Sequence, residues 1–302
     1  MALSVSLAFT RKIDFRASLA PLGRWGDDLL DRFDGHRLLR TIRVAAGQPA
    51  LPFAADVPQE PSDRLELRVS GVAPEAAAAL VAATFVTQTD ALHDLSARDY
   101  LIAQLAERHP GLVPVLIPDP FHALVRSISA QQINLAFAAR IRQRLALAYG
   151  TRLEIGTDFV YALRSEALAE ATVEELRALQ LTYAKARAVV ATARAATAGE
   201  LERDDLERLD DEALIAHLTR LPGIGRWSAE WFLARTLGRP RVVAGDLGVR
   251  KAVGRLYGAG IPSEDETRRL TEHWGGAATV AQALALHDLA VSAESPRTPP
   301  AR

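Results

Sequence analysis

The first part of the chain contains short stretches in which apolar residues occupy every second position. This alternation runs from Leu3 to Phe9 and from Leu65 to Val69, and a period of two is typical of half-buried β-strands. Residues 36–44 predict a third strand. We therefore expect a small antiparallel sheet in an N-terminal domain that covers residues 1–110.

Two other stretches of this domain predict helices, and one predicts a loop. The helical stretches are GDDLLDRF, residues 26–33, and PEAAAALVAATF, which begins at Pro74. Proline suits the first turn of a helix because its missing N–H has no partner there anyway. Residues 48–63 are rich in proline and predict a loop between strands.

The apolar spacing changes to a helical period in the second predicted domain, residues 111–293. One helical pattern begins at Asp119, with a break inside SAQQIN, residues 129–134. The fold class is therefore predicted as α+β: a small antiparallel-sheet domain followed by an all-α domain. Residues 294–302 contain almost no apolar residue other than proline and predict a disordered tail.

A further helical pattern runs from Leu176 to Ala195 and carries several basic residues. Lys185, Arg187 and Arg194 are predicted to form a solvated basic edge of this helix, the usual situation of such charges.

Two apolar helical patterns meet at a very short break in the segment from Asp211 to Tyr257. The first ends at Pro222-Gly223, and the second starts at once and passes through Trp227 and Trp231. The sequence therefore predicts two helices joined by the hairpin Pro222-Gly223-Ile224-Gly225.

The predicted hairpin is suited to binding a phosphate group. The amides of Gly223, Ile224 and Gly225 lie at the start of the second helix, where unpaired N–H groups and the helix dipole favour an anion. Between Leu221 and Tyr257, seven basic residues face only two acidic ones, an excess of five positive charges. An ordinary helical turn with a solvated charged face is the alternative interpretation. The basic residues are Arg226, Arg235, Arg239, Arg241, Arg250, Lys251 and Arg255.

Composition narrows the chemistry that the chain can perform. The 302 residues are 49% hydrophobic and 24% charged, with a formal net charge of -1, so affinity for a nucleic acid must come from a local basic face. The absence of cysteine excludes disulfides, thiolate chemistry and a cysteine-held iron-sulfur cluster. The scattered histidines suggest no metal site, and we expect a cytoplasmic monomer without a membrane partner.

The segments LPGIGRWSAEW and VVAGDLGVRKA resemble the hairpin and catalytic segments of the helix-hairpin-helix DNA glycosylase superfamily. The resemblance is strongest to the alkylation-repair branch, the 3-methyladenine DNA glycosylase II type. It implies that the hairpin holds the backbone of double-stranded DNA, often with a monovalent cation on hairpin carbonyls and with no other cofactor. It also implies that Asp246 acts on the deoxyribose of a damaged nucleotide.

The resemblance assigns further roles around this aspartate. Trp227 and Trp231 would line the pocket for the extruded base, and Gln132 would fill the gap that the base leaves in the duplex. Leu247 stands where relatives often carry an aromatic residue, which implies a more open pocket. The alternatives are that the tryptophans belong to the core and that Gln132 is a polar residue between two core helices.

The chemistry of Asp246 follows from the bond that would be broken. Cleavage of an N-glycosidic bond leaves positive charge on the sugar, which a nearby carboxylate stabilises. Asp246 could also simply cap the helix that starts near Leu247. Arg250, Lys251 and Arg255 would contact phosphates.

Position 227 bears on the type of reaction. Relatives that also cut the strand carry a lysine there, which forms a Schiff base with the sugar, whereas this chain has Trp227. The sequence thus predicts a monofunctional glycosylase acting on alkylated bases. A bifunctional glycosylase/lyase and a non-catalytic DNA-binding module are the alternatives.

Overall fold

The structure, a computed structural model, describes residues 3–45, 47–87 and 90–294. The N-terminal part is a five-stranded antiparallel sheet with strand order β1-β5-β4-β3-β2. Its strands are β1 (Leu3–Ile13), β2 (Arg32–Phe33), β3 (Arg37–Ile42), β4 (Leu51–Asp56) and β5 (Ser62–Val69), and its helices are α1 (Phe15–Gly23) and α2 (Pro74–Ala82). The predicted α+β class is confirmed, as are the three predicted strands and the helix that starts at Pro74.

The alternating residues of the sequence form the inner face of this sheet. Leu7 of β1 is paired with Leu65 of β5, and Val5 with Leu67. Leu7, Leu65 and Leu67 are buried in one apolar cluster together with Phe15 of α1. The sheet therefore has a core of its own beneath α1 and α2.

The prediction of a helix over residues 26–33 is wrong. The side chain of Asp27 accepts a hydrogen bond from the amide of Leu29, and that of Asp28 accepts from Leu30 and Asp31. These local bonds turn the chain instead of continuing a helix. The helix of this region is α1, which begins after its N-cap Asp14.

The predicted loop over residues 48–63 contains strand β4 and the start of β5. Pro52 is opposite Thr41 of β3, but pairing with β5 begins only at Phe53. Proline is tolerated here because position 52 lies beyond the part of β4 that is paired on both sides.

The remaining elements form a mostly helical part of the molecule. In chain order they are α3 (Asp90–Ser96), α4 (Tyr100–Arg108), α5 (Pro120–Ala130), α6 (Leu135–Tyr149), β6 (Gly150–Ile155), β7 (Asp158–Leu163), α7 (Ser165–Ala169), α8 (Val173–Ala178), α9 (Tyr183–Thr197), α10 (Arg203–Arg208), α11 (Asp211–Thr219), α12 (Arg226–Arg235), α13 (Leu247–Tyr257), α14 (Glu264–Thr271), a 3-10 turn (Glu272–Ala277) and α15 (Ala278–Glu294). The predicted break inside SAQQIN falls between α5 and α6.

One correction applies to the predicted all-α domain, because β6 and β7 form an antiparallel hairpin within it. Ile155 and Val160 of this hairpin pack with Leu39 and Ala54 of the N-terminal sheet. The hairpin covers the outer face of the sheet and links the two parts of the chain.

The helices enclose two apolar clusters. One surrounds α5, α9 and α12, and the other joins α13 and α15 with α3 and α4 through residues such as Leu95 and Ile102. The predicted domain boundary at residue 110 stays a prediction. Of the predicted tail, residue 294 ends α15, and residues 295–302 lie outside the described residues. No helix in the described ranges is long and apolar enough to span a membrane.

Candidate active site

The predicted hairpin joins α11 to α12. Gly223 has a left-handed backbone with φ +77°, and a Cβ added there would lie 2.7 Å from the Cβ of Ala188 on α9. Glycine is therefore required at this position both by conformation and by space. Ile224 is buried and its amide donates to the carbonyl of Leu221 at 3.1 Å, so this amide serves the turn itself.

The N-terminus of α12 is the part of the hairpin that is suited to an anion. Gly225 is its N-cap and provides no side-chain hydrogen bond to the first turn. Apart from Gly225 itself and its chain neighbours, no atom of the described residues lies within 4 Å of the position that a Cβ of Gly225 would occupy. The first N–H groups of α12 are thus uncapped at an open surface, which favours a phosphate oxygen.

The turn between α5 and α6 touches this hairpin. The side-chain amide of Gln131 donates to the carbonyl oxygen of Gly223 at 2.8 Å and to the hydroxyl of Ser228 at 3.1 Å. Gln132 is exposed and has a left-handed backbone with φ +54°. Its predicted role as a wedge stays a prediction, and the structure places it beside the hairpin.

The prediction that Lys185 belongs to a solvated basic edge is wrong. The residue is only 8% exposed, and its ammonium donates to the carbonyl oxygens of Ser129 at 3.0 Å and Gln131 at 2.6 Å. Burial lowers the pKa of Lys185. Arg187 and Arg194 are exposed as predicted.

Asp246 is the N-cap of α13. One carboxylate oxygen, Oδ1, accepts a hydrogen bond from the amide of Val249 at 3.0 Å, so the capping role that the sequence offered as an alternative is present. The other oxygen has no hydrogen-bond partner among the described residues, and the residue is partly exposed. A Cβ at Gly248 would lie 3.0 Å from Oδ1, so glycine leaves the carboxylate room.

Trp227 lies next to the loop that carries this aspartate. Its indole Cδ1 is 3.5 Å from the position that a Cβ of Gly245 would take. Trp227 and Trp231 are both partly buried against the α13–α15 cluster, so each has part of its surface in the core and part outside it. Leu247 is 54% exposed and leaves the far side of the aspartate open.

The three residues predicted to contact phosphates differ in whether their side chains already make contacts within the protein. Arg250 donates to the carbonyl oxygen of Pro262 at 2.6 Å, and Arg255 donates to the hydroxyl of Ser292 at 2.7 Å. Lys251 is exposed and makes no hydrogen bond or ion pair within the described part of the chain. The phosphate roles of all three stay predictions, but only Lys251 is free to take one without breaking a contact.

Close ion pairs hold three of the seven basic residues counted along the sequence. Arg226 pairs with Glu212 at 3.2 Å, Arg239 with Asp211 at 2.8 Å, and Arg241 with the fully buried Glu230 at 3.3 Å. Two of these acidic partners come from α11, outside the stretch on which the count was made. This stretch is therefore not a free basic face.

Arg235 of α12 has surroundings that the sequence did not predict. Its side chain forms no hydrogen bond or ion pair within the described ranges, although it is partly buried. Burial, and then the nearby Arg126 and Arg40, lower the pKa of Arg235 to about 10, while Asp246 opposes this shift. A positive charge thus lies within electrostatic reach of Asp246, and no local sequence pattern distinguishes it from the other arginines.

No metal site is evident near these residues. Within residues 3–45, 47–87 and 90–294, no three histidine, aspartate or glutamate side chains come close enough together to hold a metal ion.

Comparison with known proteins places this site in a known context. A family model described as "HhH-GPD superfamily base excision DNA repair protein" matches residues 125–276, which include the turn with Gln132, the hairpin and Asp246. The chain is 29% identical over 185 residues to "DNA-3-methyladenine glycosylase" of Bacillus subtilis, covering 60% of this chain and 61% of that protein. It is 31% identical over 159 residues to "DNA-3-methyladenine glycosylase 2" of Escherichia coli, covering 51% of this chain and 56% of the relative.

The fold has a close counterpart among solved structures. The 3-methyladenine DNA glycosylase from Archaeoglobus fulgidus superimposes with a TM-score of 0.81 at 25% identity, covering 94% of this chain and 98% of that one. The sequence matches to the two curated relatives span only about three fifths of those proteins' lengths.

Proposed function

Because the chain belongs to the HhH-GPD superfamily of base excision DNA repair proteins, we propose that it is a monofunctional DNA glycosylase. Membership confirms the superfamily resemblance of the hairpin and aspartate segments. The proposed reaction is hydrolysis of the N-glycosidic bond of alkylated bases of the 3-methyladenine type in double-stranded DNA. The observation that carries the proposal is the free carboxylate oxygen of Asp246, which lies in the same loop that Trp227 contacts and follows the hairpin helix α12.

Asp246 would stabilise the sugar cation and orient water. As the glycosidic bond breaks, positive charge develops on the deoxyribose, and a carboxylate already fixed by its cap needs no reorganisation to oppose it. At about 4 Å and an effective dielectric constant of about 20, one such interaction amounts to about 4 kcal/mol. This energy corresponds to roughly 10³-fold in rate.

The tryptophans would hold the extruded base. A base alkylated at a ring nitrogen can carry positive charge, which the electron-rich face of an indole attracts by about 0.5–2 kcal/mol. The same charge makes the base a good leaving group, so no strong general acid is required. With Leu247 exposed beside Asp246, the pocket would admit more than one size of alkylated base.

The DNA backbone would be bound by the first turn of α12, through the amides that begin at Gly225, and by Lys251. Both are open in the structure. Gln132 would enter the duplex from the neighbouring turn. Of the hairpin carbonyls, those of Gly223 and Leu221 already accept hydrogen bonds. A monovalent cation there would share these oxygens, and no step of the proposed reaction depends on it.

The positions of the lysines favour hydrolysis without strand cleavage. The chain has three lysines, Lys12, Lys185 and Lys251. The amine of Lys185 is held by two carbonyl oxygens. Lys251 lies on the exposed side of α13, five residues beyond Asp246, and Lys12 is in strand β1. No lysine therefore stands at the hairpin position from which an amine could attack the sugar.

Base release from methylated DNA tests the proposal. The wild type should free alkylated purines, identified by mass, and Asp246→Asn should reduce the rate at saturating protein by about 10³-fold. Unchanged release by Asp246→Asn would rule out the assigned role. A covalent adduct trapped with borohydride would instead support a glycosylase/lyase. Tight DNA binding without release of any base would support a non-catalytic module.

Two further expectations belong to the same proposal. The protein is proposed to act as a monomer, which sedimentation with and without duplex DNA would test, and to work in the cytoplasm. No cofactor is proposed beyond the cation discussed above.

A further inference from the structure

We propose that Gln131 and Lys185 are positioning residues that hold the exposed Gln132 at a fixed distance from the phosphate-binding end of the hairpin. This inference rests on the proposed function. A single rigid connection joins the turn between α5 and α6 to the hairpin. Through this connection, binding of the DNA backbone is coupled to extrusion of a nucleotide.

The turn that carries Gln132 needs support from its surroundings. Gln132 has φ +54°, a left-handed conformation that side chains other than glycine rarely adopt. Such a conformation persists only where neighbouring contacts determine it. Since Gln132 itself is exposed, the contacts come from its neighbours in the turn, and those to Lys185 and to the hairpin are made by Ser129 and Gln131.

Lys185 supplies the first of these contacts. Its ammonium donates to the carbonyls of Ser129 and Gln131 at 3.0 and 2.6 Å, which lie at the C-terminal end of α5. The last carbonyls of a helix have no partner within the helix, and a cation there also suits the helix dipole. Lys185 has no carboxylate partner within the described residues. Its charge therefore serves to fix these two backbone oxygens rather than to form an ion pair.

Gln131 supplies the second contact, which leads to the hairpin. Its side-chain amide donates to the carbonyl of Gly223 at 2.8 Å and to the hydroxyl of Ser228, in the first turn of α12, at 3.1 Å. The backbone of Gln131 is held by Lys185, and its side chain holds the hairpin. The residue thus bridges the two loops.

Helix α9 closes the arrangement. Ala188 lies three residues after Lys185, on the same side of the helix, and faces Gly223 so closely that a Cβ on the glycine would be 2.7 Å away. One face of α9 therefore contacts both the turn and the hairpin. The three elements contact one another in pairs, so moving Gln132 relative to the hairpin requires breaking at least one of these hydrogen bonds.

The consequence is a specific loss when the connection is cut. The amides of α12 and Lys251 would still bind phosphate, but Gln132 would no longer be held where it can replace the departing nucleotide. Misplacement of a positioning group by about 1 Å can reduce a rate by about 100-fold. Extrusion and base release should therefore fall while backbone affinity is kept.

Two substitutions cut the connection at different points. Lys185→Met removes the donors but keeps the length of the side chain. Gln131→Glu keeps the shape but places an acceptor against the carbonyl of Gly223. The matched control is Arg194→Met, because Arg194 is also a cation of α9 that donates to a helix-end carbonyl, that of Ala169 at 3.1 Å. It lies nine residues along α9 from Lys185.

Extrusion is measured with a duplex that carries 2-aminopurine beside an abasic-site analogue, and base release by single turnover on methylated DNA. We expect Lys185→Met and Gln131→Glu to lower the fluorescence rise and the release rate by about 10- to 100-fold. For Lys185→Met, the Kd for undamaged duplex and its salt dependence should stay within about threefold of the wild type, since the phosphate contacts remain. Gln131→Glu is compared by its fluorescence and release rate at saturating protein, because its new charge lies beside the first turn of α12. Lys185→Arg should recover part of the release, and Arg194→Met should change neither quantity.

Three results would overturn the proposal. These are fluorescence and release within twofold of the wild type in both variants, an equal loss in Arg194→Met, and no fluorescence rise with the wild type. Thermal unfolding checks that each variant folds. If Lys185→Met does not fold, the result for Gln131→Glu tests the proposal. A wild type that extrudes the nucleotide but releases no base would refute the proposed function and leave the positioning role to be judged by fluorescence alone.

Discussion

Replacing Gly223 by alanine should destabilise the hairpin for two reasons that can be separated. Gly223 has φ +77°, where a Cβ is disfavoured. The added methyl group would also lie 2.7 Å from the Cβ of Ala188, well inside normal contact distance. Ala188→Gly removes the second problem and leaves the first, so the two substitutions form a double-mutant cycle.

The magnitudes follow from these two terms. A left-handed conformation costs an alanine about 1–2 kcal/mol relative to glycine, and overpacking a buried contact adds about 1–3 kcal/mol. Gly223→Ala should therefore lower the free energy of unfolding by about 2–5 kcal/mol. Ala188→Gly alone should cost about 1 kcal/mol, as for glycine within a helix. The double variant should lose less than the sum of the single variants by about 1–3 kcal/mol.

Urea unfolding of the wild type and the three variants measures this coupling. Gly225→Ala is the control in the same hairpin, because Gly225 has an ordinary φ of -99° and open space around its Cβ position. Its cost should be about 1 kcal/mol or less. Losses for Gly223→Ala and Ala188→Gly that add to within about 0.5 kcal/mol would refute the proposed clash.

Three other outcomes are expected. Asp246→Ala should lower the unfolding temperature by about 2–4 °C through loss of the cap, whereas Asp246→Asn, which can still cap, should not. An equal loss in both variants would show that the charge of Asp246, and not its cap, stabilises the fold. Burial lowers the pKa of His122 in the folded protein, so folding favours the neutral imidazole. The resulting contribution to the free energy of unfolding is fully present above the unfolded pKa of about 6.5, and it should decrease as the pH drops below that value. His122→Gln should flatten the unfolding free energy between about pH 6.5 and 5, and an unchanged slope would count against it. Lys251→Met should reduce the slope of log K against log salt for undamaged duplex by about 1, and Arg255→Met should leave it unchanged.

The parts of the site that depend on neighbouring residues in the sequence could be predicted. Pro222-Gly223 marked the hairpin because glycine next to proline ends a helix whatever surrounds it. The cap formed by Asp246 was among the alternatives because aspartate before a helix binds the amides of its first turn. Pro74 likewise marked the start of α2. In each case the physical cause acts within about four residues.

The predictions for Lys185 and for strand β4 failed because contacts with distant segments of the chain determine their structure. The ammonium of Lys185 is buried because carbonyls from residues 129 and 131, more than 50 positions away, accept its protons. Strand β4 exists because β3 and β5 pair with it on either side, although the prolines of residues 48–63 suggested a loop. Neither spacing nor propensity contains information about such partners.

The charge of the hairpin segment shows why this matters for function. If all seven basic residues between Leu221 and Tyr257 contacted phosphates, they alone would give a salt slope of about -6. Asp211 and Glu212 of α11 instead neutralise arginines of the segment, and Glu230 binds Arg226 and Arg241. Lys251 is the basic residue of the segment that is exposed and has no contact among the described residues. The uncapped amides of α12 are dipoles rather than full charges and release few counterions. DNA affinity in this protein should therefore depend on the geometry of the hairpin more than on its net charge, and so on the left-handed backbone of Gly223 and its close packing against Ala188.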